Sequence, residues 1–279
     1  MPLHGNGWNP NTITRAVQGY PTATRTVRVD TEHGEGFLKA LGNPEGPHAL
    51  ACELVGSLAA DWLGMKTFDF SLIEVTDPRE VAFDGQSWAQ PGPAFISRAE
   101  DMGLTWGGDP YTLSLISNKD DICRLVVLDT WLRNCDRHSP DGRRINRSNV
   151  FLIQRIQPQR TLELFAMDFT HAFTCGSTLD RRLGYIDQIQ DVSIFGRFPE
   201  FNVHLSLDLV NACTARLQVF DMDTAESFVS LVPMAWQVDA DTRSVWKKFL
   251  VDRAHFTAET IASRLWPESE VLPFSGGMQ

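Results

Sequence analysis

No run of about 18 apolar residues occurs in the chain, so no membrane-spanning helix is expected. The opening segment, MPLHGNGWNPNTITR, has neither a basic nor an apolar signal region, so no signal peptide is expected either. Cysteine is scarce. Cys52, Cys123, Cys135, Cys175 and Cys213 are scattered, odd in number and form no C-x-x-C pair. This argues against a zinc ribbon and a disulfide framework, and fits a reducing, cytoplasmic setting. Each cysteine is expected to be a small buried hydrophobe, and Cys135 adjoins a candidate functional loop, where a reactive thiol is the alternative. Basic residues are in deficit too: 25 Lys and Arg against 35 Asp and Glu give a net charge of −10. An acidic surface argues against direct nucleic-acid binding, which needs clustered cations to neutralise phosphates. It leaves room for a small phosphorylated ligand held by a few local groups. No repeat and no low-complexity tract is visible.

What is present suggests two lobes, and 279 residues suffice for them. Residues 1–20 read as an irregular arm. TRTVRV and GFLKAL are short strands around a Gly-containing turn. HALACELVGSLAADWLG places Leu50, Leu54, Leu58 and Trp62 on one helical stripe, with Gly64 as a C-cap. TFDFSLIEV and PGPAFISR are further strands. MGLTWGGDPYTLSLISNKDD reads as loop, and DICRLVVLDTWLRN as a long apolar helix. The strands NVFLIQRI and TLELFAMDF follow, joined by a Pro-containing turn. Beyond residue 180 the pattern is helical, with two helices expected over 241–267. The class is α+β, with a strand-rich lobe (1–97) carrying one helix and a mainly helical lobe (98–279). Clefts between lobes favour ligands.

Four features fall in order along this frame. Lys39 lies inside a strand after a glycine-containing hairpin. Glu53 sits on the next helix. Asp136 and Asn149 bracket the loop of LDTWLRNCDRHSPDGRRINRSNVFLI, and Asp168 ends the strand LFAMDF. Singly each is ordinary: a strand lysine snorkels, a helix glutamate is solvated, and a strand-end aspartate caps a turn. Together they are what phosphoryl transfer from a nucleotide requires. A lysine neutralises phosphates and a glutamate holds it. A loop aspartate accepts the proton of the attacking hydroxyl, and an asparagine and a second aspartate offer hard oxygens to Mg²⁺.

These segments resemble a known family. FLKALGNPEGPHALACELVGSLAADWLGM looks like the lysine strand and following helix of HipA-like kinases, particularly short bacterial HipA-like kinase domain proteins. NCDRHSPDGRRINRSNVFLI and LFAMDFTHAF look like that family's catalytic and metal loops, with a more distant similarity to phosphatidylinositol kinases. The resemblance covers roughly residues 20–175. It implies a two-lobed protein-kinase-like fold that uses ATP and Mg²⁺. Residue by residue it implies that Lys39 contacts the ATP phosphates, Glu53 pairs with Lys39, Asp136 is the base, and Asn149 and Asp168 bind Mg²⁺. It also implies a hinge around Phe95, Ile96, Ser97 and Arg98 that meets adenine through backbone groups. GYPTATR, with Thr22 and Thr24, fits the phosphate-contacting stretch ahead of the first strand. Gly34 and Gly36 occupy the hairpin instead.

One departure stands out. The family's Asn lies about five residues after its Asp, whereas Asn149 lies 149 − 136 = 13 residues on and Asn146 lies ten. SPDGRRI therefore reads as an insertion. Asn149 is preferred because it directly precedes VFLI, with Asn146 the alternative. Arg143, Arg144 and Arg147 form either a solvated turn or a positive patch for an acidic acceptor. His138 either stacks in the loop or takes part in proton transfer. His171 is assigned no role. Three readings stay open: a kinase acting on protein Ser or Thr, a lipid or small-molecule kinase of the same fold, and a nucleotide-binding pseudokinase. HipA itself is a toxin with a DNA-binding antitoxin, and these residues carry no sign of that partnership. The chain is also expected to lack the N-terminal subdomain of longer HipA proteins, because Lys39 comes so early.

Overall fold

The computed structural model describes residues 7–156 and 160–267. Five strands form an antiparallel sheet: β1 (Ile13–Gly19), β2 (Val27–Thr31), β3 (Gly34–Lys39), β4 (Phe70–Val75) and β5 (Gly92–Arg98), in the order β1-β2-β3-β5-β4. The β2–β3 hairpin shows why the register is fixed. Val27 pairs with Leu38 and Val29 with Gly36, so the alternating apolar side chains share one face, and Val27, Val29 and Leu38 are fully buried. Gly34, at φ +102°, takes the turn conformation that a side chain disfavours. That face is covered by Trp8, Val81, Phe83 and Ala89.

Helix α1 (Pro47–Leu63) crosses the other face. Pro47 begins it where no N–H partner is needed, and Gly64 ends it at φ +86° with its N–H returned to the last turn. The helix is buried on nearly every side. It packs on β5 and also on α3 (Asp120–Leu132), α5 (Leu207–Leu217) and α6 (Met222–Val229). A single apolar core therefore runs from α1 into the helical half of the molecule.

That half contains a small antiparallel sheet of β6 (Gly103–Thr105), β7 (Phe151–Arg155) and β8 (Thr161–Phe165), in the order β6-β7-β8. Its remaining helices are α2 (Pro110–Ser114), α4 (Ile186–Ile189) and α7 (Ala240–Leu265). The side chain of Asp239 caps α7 through the Thr242 N–H.

Three expectations change. The N-terminal arm contains strand β1, which was illegible because two register irregularities against β2 break its period-two pattern. The stretch expected as loop after residue 101 holds β6 and α2, the latter capped by Asp109. The two C-terminal helices are one 26-residue helix, in which no Gly or Pro intervenes. The turn expected around Pro158 lies outside the described residues.

Candidate active site

The last residue of β3 is Lys39. Its Nζ donates to Glu53 Oε2 at 2.9 Å and to Asp168 Oδ1 at 3.2 Å. The same Glu53 oxygen accepts the Phe169 N–H at 2.9 Å, so one carboxylate from α1 holds both the lysine and the backbone after Asp168. Asp168 stands at φ +60°, a left-handed conformation uncommon for a side-chain-bearing residue and typical of functional sites. Thr170 Oγ1 donates to its Oδ1 at 2.9 Å. Burial works against the charge on Lys39, but the neighbouring carboxylates of Asp168 and Glu53 outweigh it and raise its pKa. Burial raises Glu53 despite Lys39. For Asp168 burial again works against the charge, but Lys39 and the Thr170 hydroxyl together carry the shift downward.

Phe169 fixes this arrangement from below. It is fully buried against α1, where a Cβ at Gly56 would lie 2.3 Å from the Phe169 Cβ. We expect Gly56→Ala to cost about 1–3 kcal/mol, the scale of core overpacking, and to weaken Mg²⁺-dependent nucleotide binding together with thermal stability. Unchanged melting and binding would show that Phe169 can shift freely.

Helix α3 delivers the second half of the site. It ends at Arg133, whose left-handed φ of +53° turns the chain. Asp136 then accepts from Asn149 Nδ2 at 2.8 Å, so the thirteen-residue separation closes to a direct contact. The insertion is folded out as a tight loop: Ser139 N–H bonds the Arg144 carbonyl, Asn146 N–H bonds the Arg137 carbonyl, and His138 pairs with Ile145. Asn149 is buried beside Asp136, whereas Asn146 supplies a backbone bond.

Arg137 joins the two halves. Fully buried, it bonds Asp129 Oδ2 at 3.0 Å, the Asn149 carbonyl at 2.9 Å and the Met167 carbonyl at 3.2 Å. Its guanidinium also lies over the Phe169 ring. One side chain thus sets the loop of Asp136, the turn of Asn149 and the residue before Asp168. Burial pushes Asp129 up to about 6 even though Arg137 opposes the shift.

The two histidines near the loops take different places. His138 stacks edge-on against Phe198 at 5.1 Å, as the stacking alternative has it, and its pKa is lowered by burial. His171 takes the place at the carboxylates: its Nδ1 lies 3.5 Å from Asp136 Oδ2 and its Nε2 3.4 Å from Glu45 Oε2. The hydrogen bond to Asp136 raises the His171 pKa against burial. Burial opposes the Asp136 shift, but His171, Asn149 and Arg144 carry it downward. Ile96 and Ser97 pair with both β3 and β4, Arg98 pairs with Gly36 of β3, and Arg98 and Ala99 donate their N–H groups to the carbonyls of Asp69 and Glu35. Their backbone N–H groups are therefore engaged within the sheet.

The stretch with Thr22 and Thr24 lies between β1 and β2, not ahead of the first strand, and Thr24 is buried. Beside this turn is an open cavity of about 700 Å³ lined by Gly19, Thr22, Arg25, Glu45 and Phe83. Its walls omit Lys39 and Asp168, so it adjoins the site without containing it. The three arginines of the insertion separate. Arg147 pairs with Glu200 at 2.7 Å and lies over Trp106 and Phe198, and Arg143 pairs with Asp141. Arg144 alone of the three reaches Asp136, at 3.4 Å. Cys175 is exposed, unlike the other four cysteines.

Arg137, His171 and Gly56 were missed by sequence reasoning. The Arg of D-R-H was the nearest signal. The other two carry none without the fold.

For Mg²⁺ the donors are chemically suited: the Asp168 carboxylate and the Asn149 amide oxygen are hard ligands. Asn149 turns its Nδ2 to Asp136, which leaves its oxygen for a cation. Among the described residues no group of three or more His, Cys, Asp or Glu forms a cage. Mg²⁺ ordinarily completes its shell with water and substrate phosphates, so the two-ligand set fits.

No family model matches the sequence, and no curated protein matches it. Solved structures do. The crystal structure of a Helicobacter pylori proinflammatory kinase, CtkA, aligns over 91% of this chain and 99% of its own, with a TM-score of 0.58 and 13% identity. The golgi casein kinase aligns over 92% and 74%, at TM-score 0.46 and 9% identity. Hydra Fam20 with sugar aligns over 89% and 86%, at 0.48 and 12%. The alignment to CtkA matches the architecture described above: the chain has a two-lobed, α+β, protein-kinase-like fold.

Proposed function

We propose that the chain is a kinase that transfers the γ-phosphoryl group of ATP, with Mg²⁺, to a protein Ser or Thr hydroxyl. The observation that carries this reading is the single assembly of Glu53–Lys39–Asp168 and Asp136–Asn149, bound together by Arg137. Bound ATP–Mg²⁺ supplies the phosphoryl group and neutralises its charge. Lys39, held by Glu53, orients the phosphates. Asp168 and Asn149 hold the metal. Asp136, kept ionised by His171 and Asn149, accepts the proton of the acceptor hydroxyl. In this reading residues 1–97 form the phosphate-holding lobe and 98–279 the lobe of the loops, with the hinge around Phe95 to Arg98 between them. The resemblance of residues 20–175 to HipA-like kinases supports the protein acceptor, and the scattered cysteines support a cytoplasmic setting. Among the described residues no helix is long and apolar enough to cross a membrane.

The test is Mg²⁺-dependent ADP release with phosphosite mapping by mass spectrometry in cell extract. Wild type should phosphorylate protein hydroxyls, and folded Lys39→Ala should bind ATP at least about tenfold more weakly, the loss of one strong charge-assisted contact. Unchanged ATP affinity in folded Lys39→Ala would sink the assignment. Turnover that labels lipid or small-molecule acceptors in place of protein would keep the fold chemistry and replace the acceptor.

A further inference from the structure

Phosphoryl transfer as proposed leaves the insertion between Asp136 and Asn149 without a role, yet the loop is built to hold one cation. Residues 139–142, Ser-Pro-Asp-Gly, make a tight turn. The Gly142 N–H reaches the Ser139 carbonyl at 3.0 Å, proline suits the second position, and Gly142 stands at φ +67°. Arg144 follows on the returning arm. Its carbonyl accepts the Ser139 N–H at 2.9 Å, and its own N–H donates to Ser139 Oγ at 2.9 Å. Ser139 Oγ donates in turn to Asp141 Oδ1 at 2.6 Å, and the His138–Ile145 pair closes the loop beside it. The backbone of Arg144 is therefore fixed.

The guanidinium stands at the open oxygen of the base. Asp136 Oδ2 is taken by Asn149 Nδ2 at 2.8 Å and His171 Nδ1 at 3.5 Å. Among the described residues Asp136 Oδ1 meets Arg144 Nη1 alone, at 3.4 Å. That contact is long and one-pronged, and the Arg144 side chain is 47% exposed, so the pair adds little to stability. Nη1 also lies 3.9 Å from Cys135 Sγ, while Nε and Nη2 have no partner among the described residues. Arg143 and Arg147 are committed elsewhere, to Asp141 and Glu200. A guanidinium with an open fork matches a carboxylate bidentately.

We propose that Arg144 is an acceptor-recognition residue, binding an acidic side chain that flanks the Ser or Thr hydroxyl, so that the acceptor is an acidic protein segment. This rests on the kinase reading. A hydroxyl that gives its proton to Asp136 docks at Oδ1, the oxygen that Arg144 faces. It then lies within about 6 Å of the guanidinium, one hydrogen bond beyond the 3.4 Å contact. An extended chain advances about 3.3–3.6 Å per residue, so the carboxylate belongs roughly one or two residues from the hydroxyl. The surroundings explain the need for a cation. Asp136, and Glu45 beyond His171, are carboxylates, and the chain carries a net charge of −10. An acidic acceptor meets repulsion everywhere except where Arg144 offsets it, which makes the preference local to the flanking residue.

The experiment uses the full chain and single-Ser peptides in which one flanking position is Glu, Ala or Lys, with each near position tried in turn. Phosphotransfer is read as kcat and KM, and the melting temperature of each variant is recorded. Wild type should favour the Glu peptide over the Ala peptide by about tenfold in kcat/KM, mainly through KM, the scale of one charge-assisted contact. In Arg144→Ala that ratio should fall to near unity, and Arg144→Lys, which keeps the charge without the fork, should fall between. In Arg144→Glu the Lys peptide should become the better acceptor. Damage to Asp136 or to loop packing slows all peptides alike and leaves the ratio unchanged. An unchanged ratio, or a wild type indifferent to the flanking charge, therefore overturns the proposal. Binding gives a reading independent of turnover: peptides with Ala in place of the Ser are titrated against wild type and Arg144→Glu by fluorescence anisotropy. Charge-selective binding that reverses in Arg144→Glu, with no turnover on any acceptor, would remove the kinase reading and leave the recognition site standing. Binding blind to charge, with no turnover, removes both.

Discussion

Replacing Arg137 with Met is expected to lower stability by about 3–5 kcal/mol, the cost of breaking a fully buried ion pair from one side. Asp129 would be left charged in the core, and the carbonyls of Met167 and Asn149 would lose a donor. The deficit should depend on pH in a definite direction. The folded pKa of Asp129 is raised, so its ionisation opposes folding. Its contribution is fully favourable below the unfolded carboxylate pKa and is lost as pH rises through about 6. Without Arg137 that pKa climbs further, so the gap between Arg137→Met and wild type should widen as pH rises past about 6. Denaturant unfolding at several pH values measures this. A gap that is flat with pH would mean that Asp129 is neutral in the wild-type core. The double variant Asp129→Leu, Arg137→Met should recover part of the loss, because neither charge is then orphaned.

The second large effect separates chemistry from binding. Asp136→Asn should reduce phosphotransfer by about 10²–10⁴, the usual worth of a positioned general base, while ATP affinity changes little. Asp168→Asn should remove Mg²⁺-dependent nucleotide binding and turnover together, since its carboxylate meets Lys39 and, in the proposed reading, would hold the metal. Isothermal titration with ATP and Mg²⁺, paired with a phosphotransfer assay, reads both quantities. Loss of nucleotide binding in Asp136→Asn would move that residue to the metal. Normal Mg²⁺ dependence in Asp168→Asn would remove Asp168 from it. These variants differ from Lys39→Ala, which should weaken ATP binding through the phosphates alone.

The pieces that sequence made legible were those whose signal is local. Lys39 is a charge at the end of an alternating strand, and Gly64 ends a helix by its own backbone freedom. The choice of Asn149 over Asn146 rested on its place before an apolar strand; the contact of its amide with Asp136 became visible only in the fold. What was hidden depends on distant partners. Gly56 looks like an ordinary helix glycine until Phe169 arrives against it from more than a hundred residues away. His138 and His171 are indistinguishable by type. The fold gives one to Phe198 and the other to Asp136. The insertion arginines form a cluster in sequence and disperse in space, because Arg147 finds Glu200 and two aromatic rings.

The burial of α1 has a consequence for the order in which the protein can be made. By the time Arg98 has left the ribosome, the five strands and α1 exist as chain, but the surfaces of α3, α5 and α6 that cover α1 have not been synthesised. The helix is apolar on nearly all sides, so the nascent N-terminal part carries a sticky, uncovered face until well past residue 229. A fragment ending at residue 98 should therefore need a chaperone or aggregate, and should regain solubility when the remaining chain is supplied in trans. In the finished protein the α1 amides should exchange with solvent as slowly as those of α3, as one cooperative unit that crosses the boundary between the lobes.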